Sequence, residues 1–148
     1  MSLPTEFDIA VLKFGDGAGP EVFTISCGKQ DINLNFAVQS TDRFVRDCAK
    51  PGEVPFRKPK ATGKQLDVTA TGLTDVTAFE TELDLLGTKP NVKVELYADD
   101  GTDSGDLLGT IACNMLVQSL SIGAPREGES SAEVQLASNG GWTWTAAA

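Results

Sequence analysis

Residues Met115–Gly140 read MLVQSLSIGAPREGESSAEVQLASNG, two alternating segments around a polar turn. In the first arm Leu116, Gln118, Leu120 and Ile122 fall on one face, with Val117, Ser119 and Ser121 on the other. In the second, Val134 and Leu136 point to one side and Glu133 and Gln135 to the other. A period of two marks a strand with one buried face, and APREGESS has the Pro, Gly and Ser of a turn. No convergent set of titratable groups accompanies the pattern. The stretch is a β-hairpin with an apolar and a polar side, and it sets the fold class.

The same pattern recurs outward from it. Asp31–Gln39 (DINLNFAVQ) puts Ile32, Leu34, Phe36 and Val38 on one face, and Asp31, Asn33, Asn35 and Gln39 on the other. In Gln65–Thr71 (QLDVTAT), Leu66 and Val68 point inward while Gln65, Asp67, Thr69 and Thr71 point outward. Glu6–Phe14, Glu21–Ser26, Asn91–Ala98 and the run LLGTIACN complete the strands. GDGAGP joins the first two as a hairpin loop. It resembles a phosphate-binding glycine loop only superficially, because a strand rather than a helix N-terminus follows it.

The period changes once. In LTDVTAFETELDLLG, Val76, Phe79, Leu83 and Leu86 recur at helical spacing, Thr77 and Glu80 suit a capping box, and Gly87 suits a C-terminal stop. The spacing predicts a short amphipathic helix laid on a sheet, with those four residues in the core. Strands, one helix, then strands argue for a mainly β chain: an antiparallel β-sandwich or barrel with one short flanking α-helix. At 148 residues and 41% hydrophobic, residues 1–148 are expected to form a single domain.

Composition narrows the chemistry. There is no histidine, hence no usual general base, and no GxSxG motif. No catalytic residue, cofactor or metal site is expected. Cys27, Cys48 and Cys113 are odd in number and lack CxxC spacing, so reduced thiols are expected. The loop holding Asp99, Asp100, Asp103 and Asp106 lacks the register of a calcium loop and reads as a solvated hairpin tip. No apolar run approaches the roughly 18 residues of a membrane span, and MSLPTEFD lacks the basic and apolar parts of a signal peptide, so no membrane anchor and cytoplasmic synthesis are expected.

Charge is unevenly placed. Of 12 Lys plus Arg and 21 Asp plus Glu, residues 40–64 hold seven basic side chains (Arg43, Arg46, Lys50, Arg57, Lys58, Lys60, Lys64) and three acidic ones. The segment is +4 and the remainder −13. Such a segment can bind nucleic acid or dock on the acidic body of another copy. Its prolines and glycines predict an extended excursion over about 41–63 rather than a helix. GGWTWTAAA, from Gly140, closes the chain, and residues 141–148 read as a short C-terminal arm with Trp142 and Trp144 covering core or edge.

The polar strand faces share a feature. Asp31, Asn33, Asn35, Gln65, Asp67, Thr69, Ser119, Ser121, Glu133 and Gln135 include three acids and no base. Ordinary solvated sheet is one reading. A surface past which a polyanion slides is the other, since Lys and Arg would hold phosphate.

In order and spacing, the chain from about Phe7 to Gly140 resembles the tail tube (major tail) proteins of phages with long non-contractile tails. The residues carrying the resemblance are FDIAVLKFGDG…EVFTIS, the alternating strand before a long segment, DVTATGL leading into TAFETELDLLG, and VQSLSIGAPREGESSAEVQLASNG. The resemblance implies a structural virion protein, made and assembled in the host bacterial cytoplasm. Its homo-hexameric rings would stack into a tube for genome DNA ejection, meeting tape measure, tail terminator and baseplate or distal tail proteins. Double-stranded DNA would pass without specific binding. It further implies that the ten polar residues face the lumen, and that Arg43, Arg46, Lys50, Arg57, Lys58 and Lys60 sit on a ring-stacking loop, ordered only on stacking. A tube protein of a related injection system (type VI needle, gene-transfer particle, tailocin) and a β-sandwich surface-binding module are the alternatives.

Overall fold

A computed structural model of the chain describes residues 4–26, 28–73 and 76–147. Its strands are β1 (Ile9–Gly15), β2 (Phe23–Ile25), β3 (Lys29–Val45), β4 (Phe56–Gly72), β5 (Asn91–Ala98), β6 (Asp106–Gly123) and β7 (Ser131–Ala146). One helix, α1 (Val76–Leu85), separates β4 from β5. All strands join one antiparallel sheet in the order β2-β1-β5-β6-β7-β4-β3. The sheet curls until β1 lies against β3, so it supplies both layers around the core.

That core is the inward row of each long strand. Leu12, Val92, Val94, Met115, Val117, Leu66, Val68, Val134 and Leu136 are fully buried in one cluster. Burying such side chains contributes about 1.5–3 kcal/mol each relative to exposure, which makes this alternation the main determinant of the fold.

Three irregularities shape the sheet. LLGTIACN and the first arm of the quoted hairpin are one strand, β6, with a bulge at Gln118: Val117 pairs with Leu136 and Ser119 with Gln135. A bulge shifts the inward parity by one residue. Val117 is therefore buried, whereas the sequence pattern placed it outward, and Leu116 shares a row with Ala137 on the outer side. Beyond the bulge Leu120 packs on the core and Ser119 and Ser121 are exposed, as expected, but Ile122, expected on the same side as Leu120, is 41% exposed.

The second irregularity is in β7. Residues 139–141 stand opposite Asn114, Gly140 has φ 98°, and Asn139 Nδ2 donates to Asn114 Oδ1 at 2.8 Å. Past this corner the strand resumes, with Trp142 opposite Cys113 and Trp144 opposite Ile111. The residues expected as a C-terminal arm thus complete the sheet, because the glycine pair bends the strand without ending it. Trp142 packs edge-on against Phe36 at 5.2 Å between centroids, and Trp144 against Phe7 at 6.5 Å.

The third lies in the basic segment. Thr41–Gly63 is a hairpin arm whose ladder runs to Val45↔Phe56, with Thr62 bulged between Gly63 and Ala61. The segment is already paired in the single chain, so stacking is not needed to order it. Pro59 fits because β4 bonds β7 only from Asp67 onward, leaving the other edge of the arm unpaired.

The helix departs furthest from expectation. Val76, Leu83 and Leu86 are 73%, 49% and 41% exposed, and Phe79 is half-buried, so the stripe is not the core of the subunit. The buried position is Glu82, at 3%, whose Oε1 lies 3.2 Å from Lys29 Nζ and accepts from Ser26 Oγ at 2.8 Å. An ion pair between α1 and the start of β3 turns the helix, and Leu85 packs beside it. Thr77, expected at the cap, lies inside the helix, where its carbonyl accepts from Thr81 Oγ1. Gly87, at φ 82°, ends it as expected.

Candidate functional site

The ten polar residues come together. Cross-strand register aligns Asp31, Thr71, Glu133 and Ser121 in one row, and Asn33, Thr69, Gln135 and Ser119 in the next. Asn35, Asp67, Ala137 and Leu116 form a third row, flanked by Gln65 opposite Ala37. Directly paired residues project to the same side, so β3, β4, β7 and the second half of β6 form one continuous wall opposite the core. Thr71 belongs to it as well, and between Asp31 and Gln39 no basic side chain interrupts it.

Its polar groups bond to each other. Gln39 Nε2 donates to Gln65 Oε1 at 3.0 Å, Gln65 Nε2 to Asp67 Oδ2 at 3.2 Å, and Gln135 Nε2 to Glu133 Oε1 at 2.8 Å. The glutamine amides are thus engaged along the wall, and carboxylates carry its charge.

The wall has two open edges. Outside β3 no strand pairs, and β5 leaves β6 at Asn91↔Asn114, so β6 beyond Gln118 bonds only β7. Unpaired edges are templates for another chain.

Four of the six predicted arm cations separate onto two faces, and two lie at the tip. Arg43 pairs with Lys58, and Lys60 with Thr41, on the same side as Val45 and Phe56. Arg57 lies opposite Phe44 on the reverse side, 3.9 Å from Asp42. Arg46 and Lys50 line a shallow pocket at the tip with Val54 and Phe56.

Elsewhere the chemistry is structural. A cleft of about 900 Å³ lies where β1 faces β3, lined by Phe7, Ile32, Leu34, Phe36, Trp142 and Trp144 among others. In the GDGAGP loop, the Asp16 carboxylate accepts from the backbone N–H groups of Ala18 and Val22, which hold its pKa down. Those donors are thus taken, as the hairpin-loop reading requires. Asp99 and Asp100 likewise accept from Gly101 and Thr102, and among the described residues no carboxylate or cysteine cluster could hold a metal.

On the outer side of β1 and β5, Lys13 Nζ lies 2.7 Å from Glu95 Oε1, and the Tyr97 hydroxyl donates to Glu95. Burial opposes ionisation of Glu95, but Lys13, Tyr97 and Lys93 outweigh it and hold its pKa below the ordinary range. The bond to Glu95, with burial and that charge, pushes the Tyr97 phenol up to about 12. Cys113 is buried, which raises its thiol pKa, and Cys48 is exposed near the tip of the arm. Cys27 lies outside the described residues. No described helix is long and apolar enough to cross a membrane.

A polar wall with open edges, a projecting arm and one helix among the described residues define the tail-tube fold class. Solved structures share it. The chain resembles a protein in the six-fold symmetrised baseplate of the anti-feeding prophage (TM-score 0.67, 12% identity, 99% of this chain and 98% of that one). It also resembles one in the tail of an empty gene transfer agent particle refined with C6 symmetry (TM-score 0.64, 17% identity, 92% and 95%). A third is the SPP1 tail tube (TM-score 0.59, 11% identity, 97% and 80%). No protein-family profile and no curated protein matches the sequence. The chain is folded as tail tube proteins are.

Proposed function

We propose that the protein is a structural, noncatalytic subunit of a phage-type tail tube, forming homo-hexameric rings that stack into a conduit for DNA. The observation that carries this is the wall: two cross-strand rows of amide, hydroxyl and carboxylate groups over four strands, and a third that is polar on β3 and β4, without a cation. Counterion release makes each Lys or Arg contact to phosphate adhesive, so a passage for DNA is best built without them.

The open edges supply the ring. Pairing the β3 edge of one copy with the free β6 edge of the next extends the wall and removes both edges once the ring closes. Asp31, Asn33, Asn35, Gln65, Asp67, Thr69, Ser119, Ser121, Glu133 and Gln135 then line the lumen, and the arm reaches the neighbouring ring. The C6 symmetry of the gene transfer agent tail supports six copies per ring. By the same reading its partners are a tape measure protein inside the tube, a terminator at one end and baseplate or distal tail proteins at the other. Its place is the virion tail, after synthesis in the host bacterial cytoplasm.

Negative-stain electron microscopy of concentrated protein tests this. Hollow rings or tubes are expected; particles that stay monomeric at high concentration would overturn it.

A further inference from the structure

Two surfaces at opposite ends of the subunit complement each other. The first is one face of the arm, where Arg43, Lys58 and Lys60 surround Val45 and Phe56; Phe56 is 71% exposed. Among the described residues none of the three cations has an ion-pair partner. The second is the outer face of α1. Val76 and Leu83, seven residues apart, lie in line along it, and the exposed carboxylates Glu80 and Asp84, four apart, run beside them. Glu82 and Leu85 turn the other way, to Lys29 and the core. One surface is basic and apolar, the other acidic and apolar.

They cannot satisfy each other within one chain. The arm meets β4 at Phe56 and α1 follows β4 after Gly72, so the 17 residues of that strand stand between them. At about 3.3 Å per residue, the separation is on the order of 50 Å. By register the cationic rows continue the wall side of β3 beyond Gln39, on the arm and away from the helix end of the strand. Matching patches at the two ends of a rigid strand make a heterologous contact that repeats without closing, and such contacts build filaments.

We propose that the Arg43, Lys58 and Lys60 face of the arm in one copy docks on the Val76, Glu80, Leu83 and Asp84 face of α1 in a copy of the next ring. This rests on the tube reading and names the surface that receives the arm. It also accounts for the exposed apolar stripe of the helix: Val76 and Leu83 are covered only after stacking, and the helix reads as an adaptor between rings.

The test uses charge exchange in the full chain, with rings and tubes counted by electron microscopy and sedimentation, and folding checked by thermal melting. Glu80→Lys with Asp84→Lys, and separately Lys58→Glu with Lys60→Glu, should each melt like the unaltered protein yet leave unstacked rings. Combining all four should restore tubes. Val76→Asp, at an exposed position without exchange of charge, should also block stacking. Normal tubes from the helix variants, or failure of the four-fold variant to regain them, would overturn the docking while leaving the tube intact. Absence of rings and tubes from the unaltered chain would overturn the tube reading, and the docking with it.

Discussion

The two halves of β4 obey different rules. From Gln65 to Gly72 buried and partly exposed residues alternate, with Leu66, Val68 and Ala70 sealed in the core. From Phe56 to Lys64 every residue is exposed, although the backbone pairing with β3 continues almost unbroken. Hydrogen-bonded ladder is common to both, so it does not distinguish them. The difference is what adjoins the ladder: β7 pairs with β4 only from Asp67 onward, and the core lies behind Leu66, Val68 and Ala70. One half stores stability in the core, and the other leaves its surface uncovered.

Changes of comparable size along the same strand should separate these roles. Leu66→Ala removes a fully buried side chain and should cost about 2–5 kcal/mol in chemical denaturation. Phe56→Ala should leave stability within about 0.5 kcal/mol, because its side chain is 71% exposed, yet tube yield in sedimentation should fall. A Phe56→Ala protein that loses stability as Leu66→Ala does would erase the contrast.

A milder break concerns the wall, where charge rather than packing is at stake. Asp31→Lys, Asp67→Lys or Glu133→Lys should spare folding and assembly, since these side chains face away from the core, but should slow DNA release from assembled particles. Unchanged release, followed by dye access to ejected DNA, would remove the wall from the lumen. The smallest effect is expected at Tyr97. Its pKa is raised in the folded chain from an ordinary 10.0 to about 12, so the folded state holds the proton longer. The associated stability is complete below pH 10 and lost as pH rises towards 12. Tm measured across that window should decline less steeply in Tyr97→Phe.

The sequence was most legible where one side of a strand is dry. Gln65–Thr71 and the second arm of the quoted hairpin alternate as they read, because burial on one face imposes the period; in Asp31–Gln39 Ile32 and Leu34 pack on the core as read, but Phe36 and Val38 are exposed. The wall residues follow from the same strands, and all ten fall on one side. Legibility ended where the cause lay elsewhere in the chain. The bulge at Gln118 inverts Leu116 and Val117, and only the partner strand shows it. The helix stripe misled because Glu82, which looks solvent-facing, is drawn inward by Lys29, 53 positions earlier. The arm hid its ladder because a ribbon wet on both faces carries no hydrophobic period.

The amide bonds along the wall bear on friction. Gln39, Gln65 and Gln135 spend donors on neighbouring side chains, which leaves fewer to catch a polymer moving past. Drag on such a polymer then comes mainly from water and mobile counterions. Transit through a tube built from this wall should therefore depend on driving pressure and ionic conditions, and be indifferent to base sequence.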